Sequence, residues 1–167
     1  MFKKLLISAI VLLSFNQDLK SQQTKVPRNP KLGIGAAAIL GNNEYGLGYS
    51  LNFQSAINSV LNWTATVEKT NLQSTLKVMP QPKFENLVAK AGAKYYLSKQ
   101  FYFSGETGLA FDQLRTNHRS LAWSTGIGVE TNVFGKSSIE LGGKYEQYRS
   151  KIPLSFFALK ATFNLGF

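Results

Sequence analysis

Residues 154–167 read Leu-Ser-Phe-Phe-Ala-Leu-Lys-Ala-Thr-Phe-Asn-Leu-Gly-Phe. The odd positions are Ser155, Phe157, Leu159, Ala161, Phe163, Leu165 and Phe167, and the even ones include Lys160, Thr162, Asn164 and Gly166. Side chains that alternate apolar with polar or small at a period of two belong to a β-strand with two unlike faces. The final residue is itself aromatic and stands on the apolar face.

Working back from this end, the pattern recurs. Ser137 to Tyr148 sets Ile139, Leu141 and Tyr145 against Glu140, Gly142, Lys144 and Glu146, and Ser120 to Val133 sets Leu121, Trp123, Ile127, Val129 and Val133 against Ser124, Gly126, Gly128, Glu130 and Asn132. Gln100 to Asp112 opposes Phe101, Phe103, Leu109 and Phe111 to Tyr102, Ser104, Glu106, Gly108 and Asp112. Leu87 to Leu97 opposes Leu87, Ala89, Ala91, Ala93, Tyr95 and Leu97 to Val88, Lys90, Gly92, Lys94 and Tyr96. Leu32 to Gly41, Tyr45 to Gln54 and Ser59 to Glu68 alternate as well. No stretch after residue 22 repeats apolar residues at helical spacing for long enough to form a helix. Eight strands in so short a chain far exceed the roughly 20–25% strand of an ordinary globular domain, which points to a closed barrel, where no edge is left unpaired.

The polarity of the two faces decides the solvent. A soluble barrel packs its apolar face inward, and a membrane barrel turns it outward. The apolar face of all eight segments carries no Asp, Glu, Lys or Arg, and a Lys or Arg there would cost roughly 2–4 kcal/mol at mid-bilayer. The opposite face collects Gly33, Gly35, Gly46, Gly48, Gly92, Gly108, Gly126, Gly128 and Gly142, which make room for long charged side chains in a narrow lumen. With its aromatic end, the chain resembles the OmpA/OmpX-type eight-stranded bacterial outer-membrane β-barrel family. The expected fold is therefore all-β, an eight-stranded antiparallel up-and-down transmembrane β-barrel spanning residues 32–167. In that resemblance Leu159, Phe163, Leu165 and Phe167 form the C-terminal signature that the outer-membrane barrel assembly machinery recognises.

The first residues fit this destination. Lys3 and Lys4 precede the apolar run Leu5 to Phe15, and Asn16 to Ser21 is polar, the order of a secretory signal peptide over residues 1–21. The run is about half as long as a membrane-spanning helix requires. Residues 22–31 are then expected to be a short periplasmic leader. Of 167 residues, 44% are hydrophobic and 17% charged, with 19 Lys+Arg, 9 Asp+Glu and a net charge of +10. Removing Lys3, Lys4, Lys20 and Asp18 with the signal leaves 16 basic and 8 acidic residues. Export removes nucleic acid as the reason for this basicity. The absence of Cys excludes disulfides, thiolate metal sites and a Cys nucleophile.

Charge divides between inside and outside. The lumen face is expected to hold Lys90, Lys94, Lys144 and Lys160 with Glu68, Glu106, Glu130, Glu140 and Glu146, a net −1. Balanced charges in a closed space should pair, giving a plug in preference to a channel. The turns fall at Ser55 to Asn58, Ser98-Lys99 and Phe134 to Lys136, and the longer connections at Lys69 to Asn86, Gln113 to Arg119 and Arg149 to Pro153. Lys77, Lys83, Arg115 and Arg119 form an outer-loop basic surface that meets the phosphates of lipopolysaccharide and other outer-membrane lipids, or else keeps the chain soluble in transit. No protein partner can be read from the chain.

No catalytic, cofactor or metal site is expected. His118, two residues before Ser120, resembles locally the His-x-Ser pair of outer-membrane lipid A deacylases, with Glu130 or Glu140 as the only acids available. Both glutamates fall on the lumen face, and Arg115 and Arg119 disfavour the imidazolium that a general base must form. One His without Cys builds no typical zinc site. Gly33-Ile34-Gly35 and Gly126-Ile127-Gly128 lack the helix a nucleotide loop needs. The sequence thus points to a structural or binding role carried by the outer loops, against a lipid A-modifying hydrolase or a porin-like small-solute pore.

Overall fold

The computed structural model describes residues 29–41, 44–74, 83–112, 119–149 and 153–167. Eight strands, β1 (Lys31–Gly41), β2 (Glu44–Ala56), β3 (Leu61–Ser74), β4 (Lys83–Tyr96), β5 (Phe101–Asp112), β6 (Arg119–Phe134), β7 (Ser137–Arg149) and β8 (Leu154–Gly166), pair antiparallel in chain order, and β8 closes on β1. The fold read from the alternation is the fold observed. Each strand has a partner on both sides, so no edge is exposed.

The register fixes the shape. Hydrogen-bond partners followed from Lys31 run through Gln54, Thr64, Gly92, Glu106, Ser124, Glu146 and Phe156 and return to β1 at Gly41, ten residues further along. This stagger tilts the strands by roughly 40° to the barrel axis. The start of β1 and the end of β8 lie together at one end of the barrel, where Phe167 N–H donates to the Pro30 carbonyl at 3.2 Å. The same end carries three tight connections. Asn58 Oδ1 accepts from the backbone of Val60 and Leu61, Ser98 Oγ from Phe101, and Gly135 takes φ 53° in the two-residue turn before Ser137. This is the turn end; the connections 42–43, 75–82, 113–118 and 150–152 leave from the loop end.

Several boundaries differ from the sequence reading. β1 begins at Lys31, a residue expected in the leader, and the turns settle at 57–60, 97–100 and 135–136. β3 continues to Ser74 and β4 starts at Lys83, so most of the expected loop from Lys69 to Asn86 is strand. There the outward positions are Lys69, Asn71, Gln73 and Glu85, so the apolar alternation fades although the backbone pairing continues. Arg119 opens β6 and Arg149 ends β7.

The outer wall is apolar: Ile34, Leu51, Ile127, Leu141, Leu159 and Phe163 are all exposed. Its charged members among the described side chains, Lys69, Glu85, Arg119 and Arg149, stand near the loop end. Aromatic side chains gather towards both ends, Phe53 against Trp63 at 5.0 Å near the turns, and Trp123, Tyr145 and Phe157 in series at 5.6 and 5.2 Å near the loops. An uncharged band between aromatic girdles is the outer surface of a bilayer-spanning barrel.

Candidate functional site

The inward positions of the strands converge on one charged lumen, filled from the turn end upward. Lys31 Nζ lies 2.7 Å from Glu130 Oε1, which also accepts from Ser138 and Gln54, while Tyr96 donates to Glu130 Oε2. One step inward Lys94 pairs with Glu140, which accepts from Tyr102 at 2.7 Å. Glu130 and Glu140 face each other directly across β6 and β7, yet each has its own lysine. Tyr102 reaches Glu140 by lying over Gly128 and Gly142, where any Cβ would meet the phenol within 3 Å.

Further up, Lys144 lies 2.8 Å from Glu106, which also takes hydroxyl hydrogens from Thr66 at 2.8 Å and Thr64 at 3.2 Å. Lys160 donates to Asn52 Oδ1 at 2.7 Å. Lys90 is shared between Glu146 at 2.7 Å and Glu68 at 3.6 Å. All these charged side chains are buried. With Lys31 included, five buried lysines face five buried glutamates among the described side chains, a balance of zero instead of the −1 expected. Lys31 was legible: its parity with Gly33, Gly35 and Ala37 continues the inward face by one more residue.

The sequence reading missed a second feature. Near the loop end the inward face turns apolar, with Ile39, Leu72, Val88, Ala110, Ala122, Phe156 and Ala158 forming one buried cluster and Tyr148 standing edge-on to Phe156 at 5.3 Å. Expecting the inward face to be polar or small throughout is therefore corrected. The strand ends approach there, and four bulky side chains, Ile39, Leu72, Val88 and Phe156, close the bore above the ion pairs.

The remaining candidates separate in space. Arg119 is exposed, its guanidinium 5.9 Å from the Phe111 ring. Lys83 opens β4, and Lys77, Arg115 and His118 lie outside the described residues. Lys69 pairs with Glu85 at 3.4 Å on the outer wall. Leu159, Phe163, Leu165 and Phe167 form an outward row on β8 and its end. Ser120 stands at the loop end of β6, and Glu130 lies ten residues along the same strand, roughly 33 Å away, with Glu140 beside it. Neither acid can orient a base next to Ser120, and both are already engaged by lysine and tyrosine.

A closed eight-stranded barrel with charges inside and an apolar wall outside has the fold of the OmpA/OmpX-type transmembrane barrels of the bacterial outer membrane. Solved structures of that class match, three of which follow. Neisserial surface protein A superposes with a TM-score of 0.62 at 16% identity, covering 83% of this chain and 97% of that one. Ail of Yersinia pestis, in a phospholipid bilayer nanodisc, gives 0.57 at 14% identity over 82% and 99%. The outer membrane protein AlkL, in DMPC bilayers, gives 0.58 at 9% identity over 86% and 93%. At these identities the likeness is one of fold. No protein-family model and no curated protein sequence matches the chain.

Proposed function

We propose that this chain resides in the bacterial outer membrane after loss of residues 1–21 and has a structural or binding role carried by its loop end, without catalysis or conduction. The observation that carries this reading is the separation of charge. Five lysines and five glutamates are sequestered in the lumen, and the bore is closed above them by Ile39, Leu72, Val88 and Phe156. What remains for a partner lies around the loops, where basic residues predominate. Lipopolysaccharide phosphates are the nearest anions to such a surface, and Arg119 and Arg149, at strand ends, stand where a bilayer-spanning wall meets head groups. The outward row Leu159, Phe163, Leu165 and Phe167 supports delivery by the barrel assembly machinery.

The test replaces Lys77, Lys83, Arg115 and Arg119 together by Gln. The expected result is weaker binding to lipopolysaccharide vesicles with loss of the salt dependence seen for the parent, while the heat-modifiable gel shift of a folded barrel is retained. Binding that is unchanged and equally salt-sensitive overturns the assignment of that surface. Loss of a measurable lipid A deacylation on His118→Ala or Ser120→Ala replaces the reading with an enzymatic one.

A further inference from the structure

The outer wall is not evenly filled. A groove of about 610 Å³ crosses it along one hydrogen-bonded row, Gly48–Ala37–Lys160–Gly142–Gly128, which passes from β2 over β1, β8 and β7 to β6. The outward residues beside this row are small, Ala36, Ala38, Ala161 and Gly143, and they form the floor. Leu47 and Tyr49 wall the groove at its β2 end, and Leu141 and Ile127 at its β6 end. Gly143 would find only Leu159 Cδ2 near an added Cβ, at 3.9 Å, so packing within the barrel does not require a glycine there. Four steps between strands of about 4.8 Å each make the groove roughly 19 Å long. With the strands tilted by roughly 40°, it descends towards the turn end by about 12 Å, close to the roughly 15 Å depth of one leaflet of the hydrocarbon core.

The course of the groove selects its occupant. It winds from β2 to β6 around half of an eight-stranded wall. A rigid second barrel touches its neighbour along a stripe parallel to the axis and cannot follow that path, whereas a flexible hydrocarbon chain can. At the β2 end, Tyr49 stands directly opposite Lys69 on β3, a half-exposed cation of the outer wall. We propose that the groove seats one acyl chain of a lipid A molecule whose phosphate pairs with Lys69. Glu85, 3.4 Å from Lys69, accepts from the sugar hydroxyls of the same head group. The inference rests on the outer-membrane reading above, which puts lipid A at the loop end. A chain that enters the groove exchanges one apolar neighbour for another, so what holds it is dispersion contact with a fixed wall, with no hydrophobic transfer to add.

The test titrates lipid A, and separately dioleoyl phosphatidylglycerol, into the delipidated full barrel in detergent and counts retained lipid by native mass spectrometry. Gly143→Leu and Ala161→Phe fill the groove from its floor. Gly105→Leu adds the same bulk on β5, outside the groove, where nothing lies within 4 Å of the would-be Cβ. One lipid A per barrel is expected to bind saturably, and more tightly than phosphatidylglycerol. Its affinity should fall about tenfold or more in each filled variant and about threefold in Lys69→Gln, while Gly105→Leu leaves it unchanged. The heat-modifiable gel shift selects the variants that remain folded, and either filled variant alone suffices. The variant lacking Lys77, Lys83, Arg115 and Arg119 should keep this retained lipid even where its binding to vesicles is lost, so the groove and the loop surface fail or stand separately. The proposal is overturned by absence of saturable binding, by equal retention of phosphatidylglycerol, by filled variants that bind like the parent, by an equal loss in Gly105→Leu, or by a parent dimer that the filled variants abolish.

Discussion

Lys144 and Lys69 carry the same charge on the same scaffold and should differ sharply in what they contribute. Lys144 is buried against Glu106, whose other donors are the hydroxyls of Thr64, Thr66 and Ser124. Removing it leaves a carboxylate in the lumen without its counter-charge, which typically costs about 3–5 kcal/mol. Lys69 faces Glu85 on the outer wall with both side chains about half exposed, and such a pair contributes about 1 kcal/mol or less. Lys144→Ala should therefore lower the urea midpoint of the refolded barrel clearly more than Lys69→Ala, followed by tryptophan fluorescence and the gel shift; equal midpoints would refute the buried-network account. The charged inward residues were legible because each falls on the polar parity of a strand. Their pairing was not. Lys94 meets Glu140 across 46 positions of chain, and Lys31 meets Glu130 across 99. No spacing in the sequence encodes such partners.

At the scale of a strand pair, β4 and β5 meet so closely that two inward positions admit no side chain. A Cβ on Gly92 would stand 1.9 Å from the Gly105 carbonyl oxygen, and one on Gly108 equally near that of Ala89. Both obstacles are backbone, so the strands themselves must shift. Gly105 faces outward with nothing within 4 Å of its would-be Cβ. Gly92→Ala and Gly108→Ala are expected to destabilise by at least about 1–3 kcal/mol, and Gly105→Ala to change stability by about 0.5 kcal/mol or less, as read from unfolding midpoints. The interiors of the strands were readable from alternation, and their loop ends were not. Outward Lys69, Asn71 and Gln73 continue β3 with full pairing to β4, but polar residues on that face erase the contrast on which a period-two reading depends. Val133 marks the converse case, since the register of β6 against β7 shifts between Asn132 and Phe134, a local irregularity that leaves no trace in the composition.

For the whole molecule, eight strands with a ten-residue stagger enclose a bore that side chains alone fill. Purified wild-type barrel in planar bilayers should give no steady single-channel current, because any ion must cross both the paired layer and the apolar cluster around Phe156. Stable unitary currents would show that the plug is leaky and restore the pore reading. The sequence by itself determined the number of strands, their antiparallel order, the apolar outer wall and the charged inner face, because a bilayer acts on every outward residue separately and so writes its demand at each second position. Only the tertiary structure decided which lysine answers which glutamate, and that the apolar side chains of Ile39, Leu72, Val88 and Phe156, from four strands, meet in the lumen near the loop end. Those features depend on stagger and closure, which bring distant residues together through hydrogen-bond register between strands, and register is a property of pairs of strands that no single strand carries.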